Sequence, residues 1–287
     1  MKQTESNTIE ELQKKLDLEG VYPPQKYPKV SIIIPTFNCM QSIDLTLDRI
    51  LIQNYPNYEI IIVDAGSTDQ TLDVIAGYKS SEIILSSVTN YQRYEMLNKG
   101  ISLAEGEYLN FLFPGDFYIS QDTLHTMMTH ALDQDMPYLV FCGSLLRDGK
   151  SEVKILYRHL SLSYLKNGQQ PTSLQACWFR KEVFQKLDKF NTSLEMRGGY
   201  DLLCRYALYG HFKTISTSRV LTDYDLRFVT RKMVIKHFWE TFRIIYHYFG
   251  LLALLGWLGK QKDFARYMKL WLRSLRGAFL GKLSEGV

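Results

Sequence analysis

Three short polar clusters in this sequence directly follow apolar runs and could bind a ligand together. They are Pro35-Thr-Phe-Asn38, the stretch from Asp64 to Asp69, and Pro114-Gly-Asp116. Side chains of these types accept hydrogen bonds from a ligand, and an aspartate can also hold a divalent cation through its carboxylate oxygens. If the clusters converge in the folded chain, they predict one polar cleft.

The segments before these clusters must position them, and their composition predicts strands. Each is a continuous apolar run without alternation, which favours a strand covered on both faces, as in a parallel sheet. These runs are Val30–Ile34, Tyr58–Val63, Ile83–Ser87 and Tyr108–Phe113. Segments with helical spacing lie between them, so the sequence predicts an α/β fold with a mostly parallel sheet flanked by helices. Ligand sites in such sheets lie beyond the carboxyl ends of the strands, where the clusters fall.

Length, composition and charge exclude several classes of protein. Of the 287 residues, 46% are hydrophobic and 22% are charged, so the chain can bury a core and is not a disordered polyelectrolyte. The net charge of +4 is too small to indicate nucleic-acid binding. The four cysteines lack metal-ligating spacing, and residues 1–18 lack the apolar segment of a secretion signal. We therefore expect reduced thiols and a cytoplasmic location.

The C-terminal part of the chain differs in charge from the rest. Residues 229–287 contain eleven basic and three acidic residues, a net charge of +8 that leaves −4 for residues 1–228. Two apolar sets recur there at helical spacing: Trp239, Phe242, Ile245 and Phe249, then Tyr267, Trp271, Leu275 and Phe279. Basic amphipathic helices of this kind either contact a membrane surface or dock on the body of the protein. The longest apolar run, Tyr248–Leu258, is shorter than the ~20 residues that span a bilayer, so only peripheral membrane contact is expected.

Five blocks of the sequence carry a family resemblance. They are Val30-Ser-Ile-Ile-Ile-Pro-Thr-Phe-Asn38, Glu59 to Asp69, Asn98 to Tyr108, Leu109 to Asp116 and, more weakly, Tyr200 to Gly210. In this order and spacing they resemble the family 2 glycosyltransferases. The resemblance implies the GT-A fold and inverting transfer of a sugar from a nucleoside diphosphate, most often UDP. It also implies a glycan or lipid-linked acceptor in the synthesis of cell-surface polysaccharides or glycoconjugates.

The resemblance and the charge distribution together predict the domain organisation. We expect an N-terminal helix and linker at residues 1–28, the transferase domain at 29–228 and the basic helical tail at 229–287.

Nucleotidyl transfer to a sugar phosphate is disfavoured, because that chemistry generally uses a glycine-rich, basic loop after the first strand and Pro35-Thr-Phe-Asn38 is not one.

The residues that match the nucleotide-binding positions of the family lie at two strand ends and before an expected helix. They are Pro35, Thr36, Asn38, Asp64, Asn98 and Lys99. A carboxylate such as Asp64 can accept the N–H of a pyrimidine base, and Lys99 can approach phosphate. The structural alternatives are that Asp64 only ends a strand and that Lys99 is a solvated surface residue. Ser67 or Asp69 is expected to cap the next helix in either case.

Asp116 matches the acidic motif with which the family holds a divalent cation, Mg²⁺ or Mn²⁺, against the donor diphosphate. The chain departs from the usual motif, since Pro114 and Gly115 replace the earlier acidic position. Asp116 is therefore expected to hold the metal alone. The alternative is an ordinary turn, in which proline, glycine and aspartate are favoured residues.

An inverting transferase needs a general base to accept the proton of the acceptor hydroxyl. The Glu-Asp pair that usually supplies it in the family would fall on Gly198 and Gly199, so the usual carboxylate is missing. Asp201 is the nearest replacement and Glu195 the second candidate. Alternatively, Asp201 only interacts with the dipole of the helix that it begins. The chain could then be a catalytically weak, membrane-tethered scaffold that binds nucleotide sugars.

Overall fold

The computed structural model describes residues 27–147, 154–227 and 229–261. Its centre is an eight-stranded sheet in the order β3-β2-β1-β4-β7-β5-β6, with β8 paired to β5. The strands are β1 (Val30–Thr36), β2 (Tyr58–Asp64), β3 (Ile83–Ser87), β4 (Tyr108–Phe111), β5 (Leu139–Arg147), β6 (Lys154–Leu156), β7 (Cys177–Arg180) and β8 (Thr214–Asp225).

The direction of the strands changes halfway across the sheet. Strands β3, β2, β1 and β4 are parallel. Strand β7 then runs antiparallel to both β4 and β5, while β8 is parallel to β5. The predicted α/β fold is confirmed, and the four apolar runs are the four parallel strands. Strand β4 ends two residues earlier than expected, because the amide of Asp116 turns back to donate to the carbonyl of Phe113 at 2.9 Å.

Eight α-helices in the described residues cover the sheet and its edges. They are α1 (Ile43–Leu51), α2 (Thr71–Gly77), α3 (Arg93–Leu103), α4 (Thr123–Asp133), α5 (Leu162–Lys166), α6 (Glu182–Lys186), α7 (Gly198–Tyr209) and α8 (Arg231–Lys260). Strands β1, β2 and β4 are buried on both faces, as their unalternating sequences predict. Ile33 of β1 packs in one apolar cluster, and Ile32 and Ile34 pack in the other. The same prediction is wrong for β3, which lies at the edge of the sheet and exposes Ile84 and Leu85.

The parallel register brings the carboxyl ends of the strands together. Thr36 at the end of β1 lies beside Asp64 at the end of β2. Ile33 pairs with Phe111, the last residue of β4, so the chain from Leu112 to Asp116 emerges at the same edge. The convergence that the three polar clusters predict is therefore present.

Helix α8 is docked along one face on the elements that precede it in the chain. Ile244, Ile245, Leu254, Trp257 and Leu258 are buried in the same apolar cluster as the central residues of α7. Thr230 caps the helix by accepting the amide of Met233, and Gly250 (φ 76°, ψ −177°) kinks it. Of the two alternatives expected from the sequence, docking on the body of the protein therefore holds for this face of the helix.

The outward face of α8 remains apolar. Ile235, Trp239 and Tyr246 are each more than half exposed. Of the stripe predicted from sequence, Trp239 is exposed, Ile245 is fully buried and the other two residues are half-buried, so the stripe does not face one environment.

Helix α8 is longer than the apolar run within it, and the expectation of peripheral membrane contact stays a prediction. Within the described residues, Arg231–Lys260 is the one helix long and apolar enough, by length and composition, to cross a membrane. The run of eleven residues understates this length because the aromatic residues before it are interrupted by single charges and histidines. The predicted N-terminal helix and the second stripe, Tyr267 to Phe279, lie outside the described residues.

Candidate active site

A cleft of about 740 Å³ opens at the carboxyl ends of β1 and β4. Its lining includes Pro35, Phe37, Asn38, Asp69, Tyr91, Arg93, Phe113, Pro114, Gly115 and Arg227. The rings of Phe37 and Tyr91 lie 4.6 Å apart at the cleft, and they are 37% and 59% exposed. Exposed aromatic rings offer a stacking surface for a planar ligand. Sequence reasoning missed this pair, because Tyr91 follows β3 and carries no motif.

Two of the predicted nucleotide-binding residues lie beneath this cleft. The carboxylate of Asp64 is buried and accepts hydrogen bonds from the hydroxyls of Thr36 (3.1 Å) and Ser67 (2.6 Å). It also accepts the amides of Gly66 and Ser67 at 2.9 and 2.8 Å. Asp64 therefore stabilises the turn that follows β2. Neither Asp64 nor Thr36 lines the cleft in the described structure.

Asn38 connects the loops that follow β1 and β2. It adopts a left-handed backbone conformation (φ 46°), and its side-chain oxygen accepts the amide of Thr68 at 2.8 Å. Its own amide donates to the hydroxyl of Ser67 at 2.9 Å. Asp69 accepts the amide and hydroxyl of Thr71, the first residue of α2. The expectation that Ser67 or Asp69 caps this helix is wrong, because Gln70 occupies the N-cap position and makes no side-chain cap bond. These bonds fix the loop edges that shape the cleft.

The structure places Asn98 and Lys99 in the middle of α3, which begins at Arg93 and not after Lys99 as the sequence suggests. The amide of Asn98 exchanges two hydrogen bonds with the backbone of Phe190, at 2.8 and 2.9 Å. Lys99 is exposed. Neither residue lines the cleft in the described structure, whereas Arg93 does, with its guanidinium 4.9 Å from the centre of the Phe113 ring.

Asp116 faces a smaller cavity of about 210 Å³, which shares Arg93, Phe113 and Pro114 with the cleft. The carboxylate is 2% exposed. One oxygen accepts the amide of Asp225 at 2.8 Å, and the other accepts the side-chain amide of Gln175 at 2.6 Å. Burial raises the pKa of Asp116 to about 7. The aspartate that the sequence singles out is thus a buried carboxylate of the small cavity, and Pro114 and Gly115 before it line the cleft.

The residues around Asp116 limit how a cation could bind. Within the described residues, no group of three or more His, Cys, Asp or Glu side chains could hold a metal. Each oxygen of Asp116 already carries a hydrogen bond, and each keeps a second acceptor position. The hard oxygen of Asp116 therefore fits a cation that takes most of its ligands from donor phosphates and water.

A second carboxylate, Asp225, lines the same small cavity and was missed from the sequence. It pairs with Arg227 at 2.8 Å and with Arg147 at 3.3 Å. Arg147 also binds the buried Asp223 at 2.8 Å. Burial acts to raise the pKa of Asp225, but hydrogen bonds from Arg227 and the charge of Arg147 outweigh it and hold this pKa below its usual value. The sequence signal was Asp223 and Asp225 at alternate positions of β8, which directs both to one face of that strand.

The two candidate bases from the sequence lie elsewhere. Asp201 is buried in α7, and its carboxylate binds Arg205 at 3.0 Å and the hydroxyl of Tyr248 at 2.9 Å. Glu195 is largely exposed and pairs with Lys236 of α8. Neither lines the cleft or the small cavity in the described structure.

The two glycines at the family's Glu-Asp positions differ in their surroundings. The amide of Gly198 donates to the hydroxyl of Tyr94 at 2.7 Å, and a Cβ at residue 198 would lie 2.5 Å from the ring of Tyr94. Gly199 lines the small cavity, and its Cβ would meet Leu174 at an ordinary 3.5 Å. Position 199 therefore accommodates a Cβ atom, and position 198 does not.

Comparison with known proteins identifies the family. The model of the family described as Glycosyl transferase family 2 matches residues 31–191, more than half of the chain. The chain belongs to this family. The recognition made from the sequence blocks is thereby confirmed.

Two curated relatives show what other members of glycosyl transferase family 2 do. A PGL/p-HBAD biosynthesis glycosyltransferase of Mycobacterium bovis is 28% identical over 181 residues, 62% of this chain and 69% of the relative. A UDP-Glc:alpha-D-GlcNAc-diphosphoundecaprenol beta-1,3-glucosyltransferase of Escherichia coli is 38% identical over 105 residues. That match covers 35% of this chain and 41% of the relative.

Two solved structures share the fold of this family 2 chain. TarS of Staphylococcus aureus in complex with UDP-GlcNAc aligns with a TM-score of 0.63 at 20% identity, over 76% of this chain and 66% of that protein. A mannosyltransferase of Pyrobaculum calidifontis with GDP-Man and Mn²⁺ aligns with a TM-score of 0.57 at 19% identity, over 93% and 87%. At these identities the likeness shows the GT-A fold.

Proposed function

We propose that this chain transfers a sugar from a nucleoside diphosphate donor, with UDP as the nucleotide, to an acceptor hydroxyl with inversion at the anomeric carbon. The observation that carries the proposal is that Asp116 lines the small cavity two residues after Pro114, which lies at the junction of this cavity with the large cleft. A donor in the cleft would present its anomeric carbon at this junction. Solved relatives in complex with UDP-GlcNAc and GDP-Man support a nucleotide sugar as the donor.

The cleft offers complementary groups to each part of such a donor. The rings of Phe37 and Tyr91 can stack on the base, and Pro35 and Asn38 line the same end of the cleft. Arg93 and Arg227 can donate to the diphosphate, since guanidinium groups bind phosphate in a bidentate manner. Thr36 and Asp64 act by fixing the loops behind the base, and direct contacts of Asp64, Asn98 and Lys99 with the nucleotide stay predictions from sequence.

A divalent cation, Mg²⁺ or Mn²⁺, is proposed to reach the site with the donor, held by its phosphates, by water and by one oxygen of Asp116. Bound there, it would neutralise charge on the leaving nucleoside diphosphate. A solved relative with Mn²⁺ supports this part of the proposal.

The transfer step needs a base at the small cavity. The acceptor oxygen attacks the anomeric carbon, the bond from that carbon to the β-phosphate oxygen breaks, and the nucleoside diphosphate leaves with the electron pair. The proton of the acceptor hydroxyl passes to a carboxylate, and Asp225 is the carboxylate that lines this cavity beside Asp116. Asp201 and Glu195 remain the candidates from the sequence, although each would have to leave its present partner to reach the acceptor.

One observation favours a second candidate function. Gly198 and Gly199 leave the family's Glu-Asp positions without a carboxylate, and Asp225 is held by two arginines. A chain without an effective base would bind nucleotide sugars and turn them over slowly or not at all. Nucleotide binding without turnover against any lipid-linked or glycan acceptor would establish this scaffold function.

The outward face of α8 supports a location at a membrane surface. Ile235, Trp239 and Tyr246 are exposed along this face, and Lys232 and Arg243 are exposed beside them. An apolar stripe beside basic residues suits the interface of a bilayer that contains anionic lipid. We therefore propose a cytoplasmic, peripheral protein that meets a glycan or lipid-linked acceptor of cell-surface polysaccharide or glycoconjugate synthesis there.

Thermal-shift titration of the full chain with UDP, GDP and a panel of their sugars, with and without Mn²⁺, tests the proposed donor. We expect UDP and at least one UDP-sugar to raise the midpoint of unfolding, and Mn²⁺ to increase that shift. Stabilisation by no nucleoside diphosphate would overturn the proposed function.

A further inference from the structure

A third cavity, of about 580 Å³, lies next to the small cavity on the side away from the donor cleft. The two share five wall residues: Gln170, Met196, Tyr224, Val229 and Met233. Because the small cavity in turn shares three residues with the donor cleft, the cavities form a row with Asp116 and Asp225 in the middle. A donor bound in the first cavity would therefore meet an acceptor that occupies the third.

The wall of this third cavity includes a buried charged residue, Arg197, at the start of α7. It is 5% exposed, and its guanidinium lies 4.0 Å from the centre of the Tyr200 ring. Its terminal nitrogens donate to the side-chain oxygen of Gln170 at 3.1 Å and to the carbonyl of Gly168 at 2.8 Å. Its Nε is buried without a hydrogen-bond partner in the described structure. The contacts of this guanidinium are neutral groups.

The charge of Arg197 is thus buried without an ion-pair partner among the described residues. The nearby buried carboxylate, Glu240, is engaged by the backbone amides of residues 195–197 at 2.8 to 2.9 Å. Burial lowers the pKa of Arg197, which reflects the cost of keeping the cation there. A buried, unpaired cation is costly to a fold, so a ligand anion that compensates it would bind strongly.

A second cation lies on the same wall. Arg158 lines the third cavity, and it contacts the ring of Tyr164 at 5.7 Å and the carbonyl of Gln170 at 3.4 Å. No ion pair of Arg158 is present within the described residues. Gln170 therefore touches both arginines, Arg158 through its backbone carbonyl and Arg197 through its side-chain oxygen.

The rest of the third cavity is mostly apolar. Leu146, Leu156, Leu226, Val229, Met233 and Val234 line it. Met233 and Val234 belong to the first turn of α8, and the exposed apolar face of that helix begins one residue later at Ile235. A ligand that joins an anionic group to a lipid would match the arginines with one part and the apolar wall and α8 with the other.

We infer that the third cavity binds the phosphoryl group of a lipid-linked acceptor, with Arg197 and Arg158 as its cationic partners. This inference rests on the proposed function, because it names the acceptor of the proposed sugar transfer. Binding itself needs no turnover, so it can be measured independently of transfer.

The test is calorimetric titration of the full chain with farnesyl diphosphate, a soluble lipid diphosphate, after the donor cleft has been saturated with UDP. Farnesol and sodium pyrophosphate serve as the lipid alone and the free anion alone. We expect farnesyl diphosphate to bind at least tenfold more tightly than either. Equal affinity for pyrophosphate would overturn the lipid-linked source, and equal affinity for farnesol would overturn recognition of the anion.

Three variants assign the binding to the arginines. Arg197→Gln keeps a donor for Gly168 but removes the charge, Arg158→Gln removes the charge of a half-buried residue, and Arg219→Gln is a matched control at an exposed arginine of β8. We expect each of the first two to weaken farnesyl diphosphate binding at least tenfold and the control to change it less than twofold. Unchanged binding in Arg158→Gln and in a folded Arg197→Gln would overturn the inference. Should Arg197→Gln fail to fold, Arg158→Gln decides alone.

Failure of the proposed function would appear differently. If UDP does not bind in the first titration, the donor proposal fails, and the farnesyl diphosphate titration is then run without UDP and still reports on the arginines.

Discussion

The backbone amide of Asp225 donates to the buried carboxylate of Asp116 at 2.8 Å, across 109 positions of the sequence. This bond joins the end of β8 to the turn after β4. The sequence places the candidate site entirely at the ends of the parallel strands. The bond shows that β8, which lies in the other half of the sheet, also contributes to this site. Both residues line the small cavity, so a change at either one affects the other.

Replacement of Asp116 by asparagine should stabilise the metal-free protein near neutral pH. Burial raises the pKa of Asp116 above its value in the unfolded chain, so the folded state holds a proton that the unfolded state loses between about pH 4 and 7. Stability should therefore fall as pH rises through this window in the natural chain and stay flatter in Asp116→Asn. We expect a gain of about 1–4 kcal/mol at pH 7.5, measured by urea unfolding in EDTA. A loss of stability in the variant would contradict this electrostatic interpretation.

Replacement of Asp225 and Asp201 by asparagine should separate a catalytic role from a structural one. Asp225→Asn should lower kcat at least a hundredfold with little change in donor binding, because it removes the proposed proton acceptor. Asp201→Asn should lower stability by about 1–3 kcal/mol, because it breaks a buried pair with Arg205, and should leave kcat within about threefold. The reverse pattern, with kcat lost only in Asp201→Asn, would return the base to the residue chosen from the sequence.

The two glycines at the start of α7 should respond oppositely to substitution. Gly199→Asp places a carboxylate at the small cavity, and its Cβ would make only an ordinary contact with Leu174, so we expect the variant to fold and its kcat to rise at least fivefold. Gly198→Ala should destabilise the fold by about 1–3 kcal/mol, because its methyl group would overlap the Tyr94 ring. Steady-state kinetics and thermal unfolding measure the two effects. A kcat in Gly199→Asp no higher than that of the natural chain would show that the missing carboxylate does not limit transfer.

The sequence predicts the elements of the fold wherever a local pattern of residues is enough to identify them. The buried, unalternating strands β1 and β2 were recognised to within two residues, since a strand covered on both faces leaves a continuous apolar run. The antiparallel β7 and the pairing of β8 with β5 were not, because β8 is half exposed and its partners are far away in sequence.

The residues of the candidate site can likewise be predicted from the sequence only where a local pattern marks them. Asp116 and Pro35 could be chosen because each directly follows an apolar run. Gln175 and Arg147 could not be chosen, because they contribute single side chains from segments without any motif. The exclusion of a side chain at Gly198 also depends on a tertiary neighbour, Tyr94, that no local pattern identifies.

Removal of the aromatic pair at the cleft should weaken nucleotide binding. Phe37→Ala and Tyr91→Ala each remove one ring of the pair and should raise the Kd for UDP about fivefold to thirtyfold, the equivalent of about 1–2 kcal/mol of stacking. Tyr209→Ala, at an exposed tyrosine on the last turn of α7, is the control and should leave the Kd unchanged. Affinity for UDP that is independent of both rings would place the base elsewhere in the cleft.

Polar substitutions on the outward face of α8 should reduce membrane binding. The triple change Ile235→Ser, Trp239→Ser and Tyr246→Ser removes exposed apolar area without touching the buried face, so co-sedimentation with vesicles of 30% phosphatidylglycerol should fall at least tenfold. Leu85→Ser, at an exposed apolar residue of β3, should leave it unchanged. Equal sedimentation of both variants would show that this face does not hold the protein at the bilayer.

The central claim, that Asp116 stands where a nucleotide-activated sugar is cleaved, is tested most directly by UDP release. The measurement compares the natural chain, Asp116→Asn and Asp133→Asn, an exposed aspartate of α4, with the UDP-sugar that gives the largest thermal shift and a lipid-diphosphate-linked sugar as acceptor. We predict turnover by the natural chain and by Asp133→Asn, and at least a hundredfold loss in a folded Asp116→Asn. UDP release by Asp116→Asn at the natural rate would contradict the account.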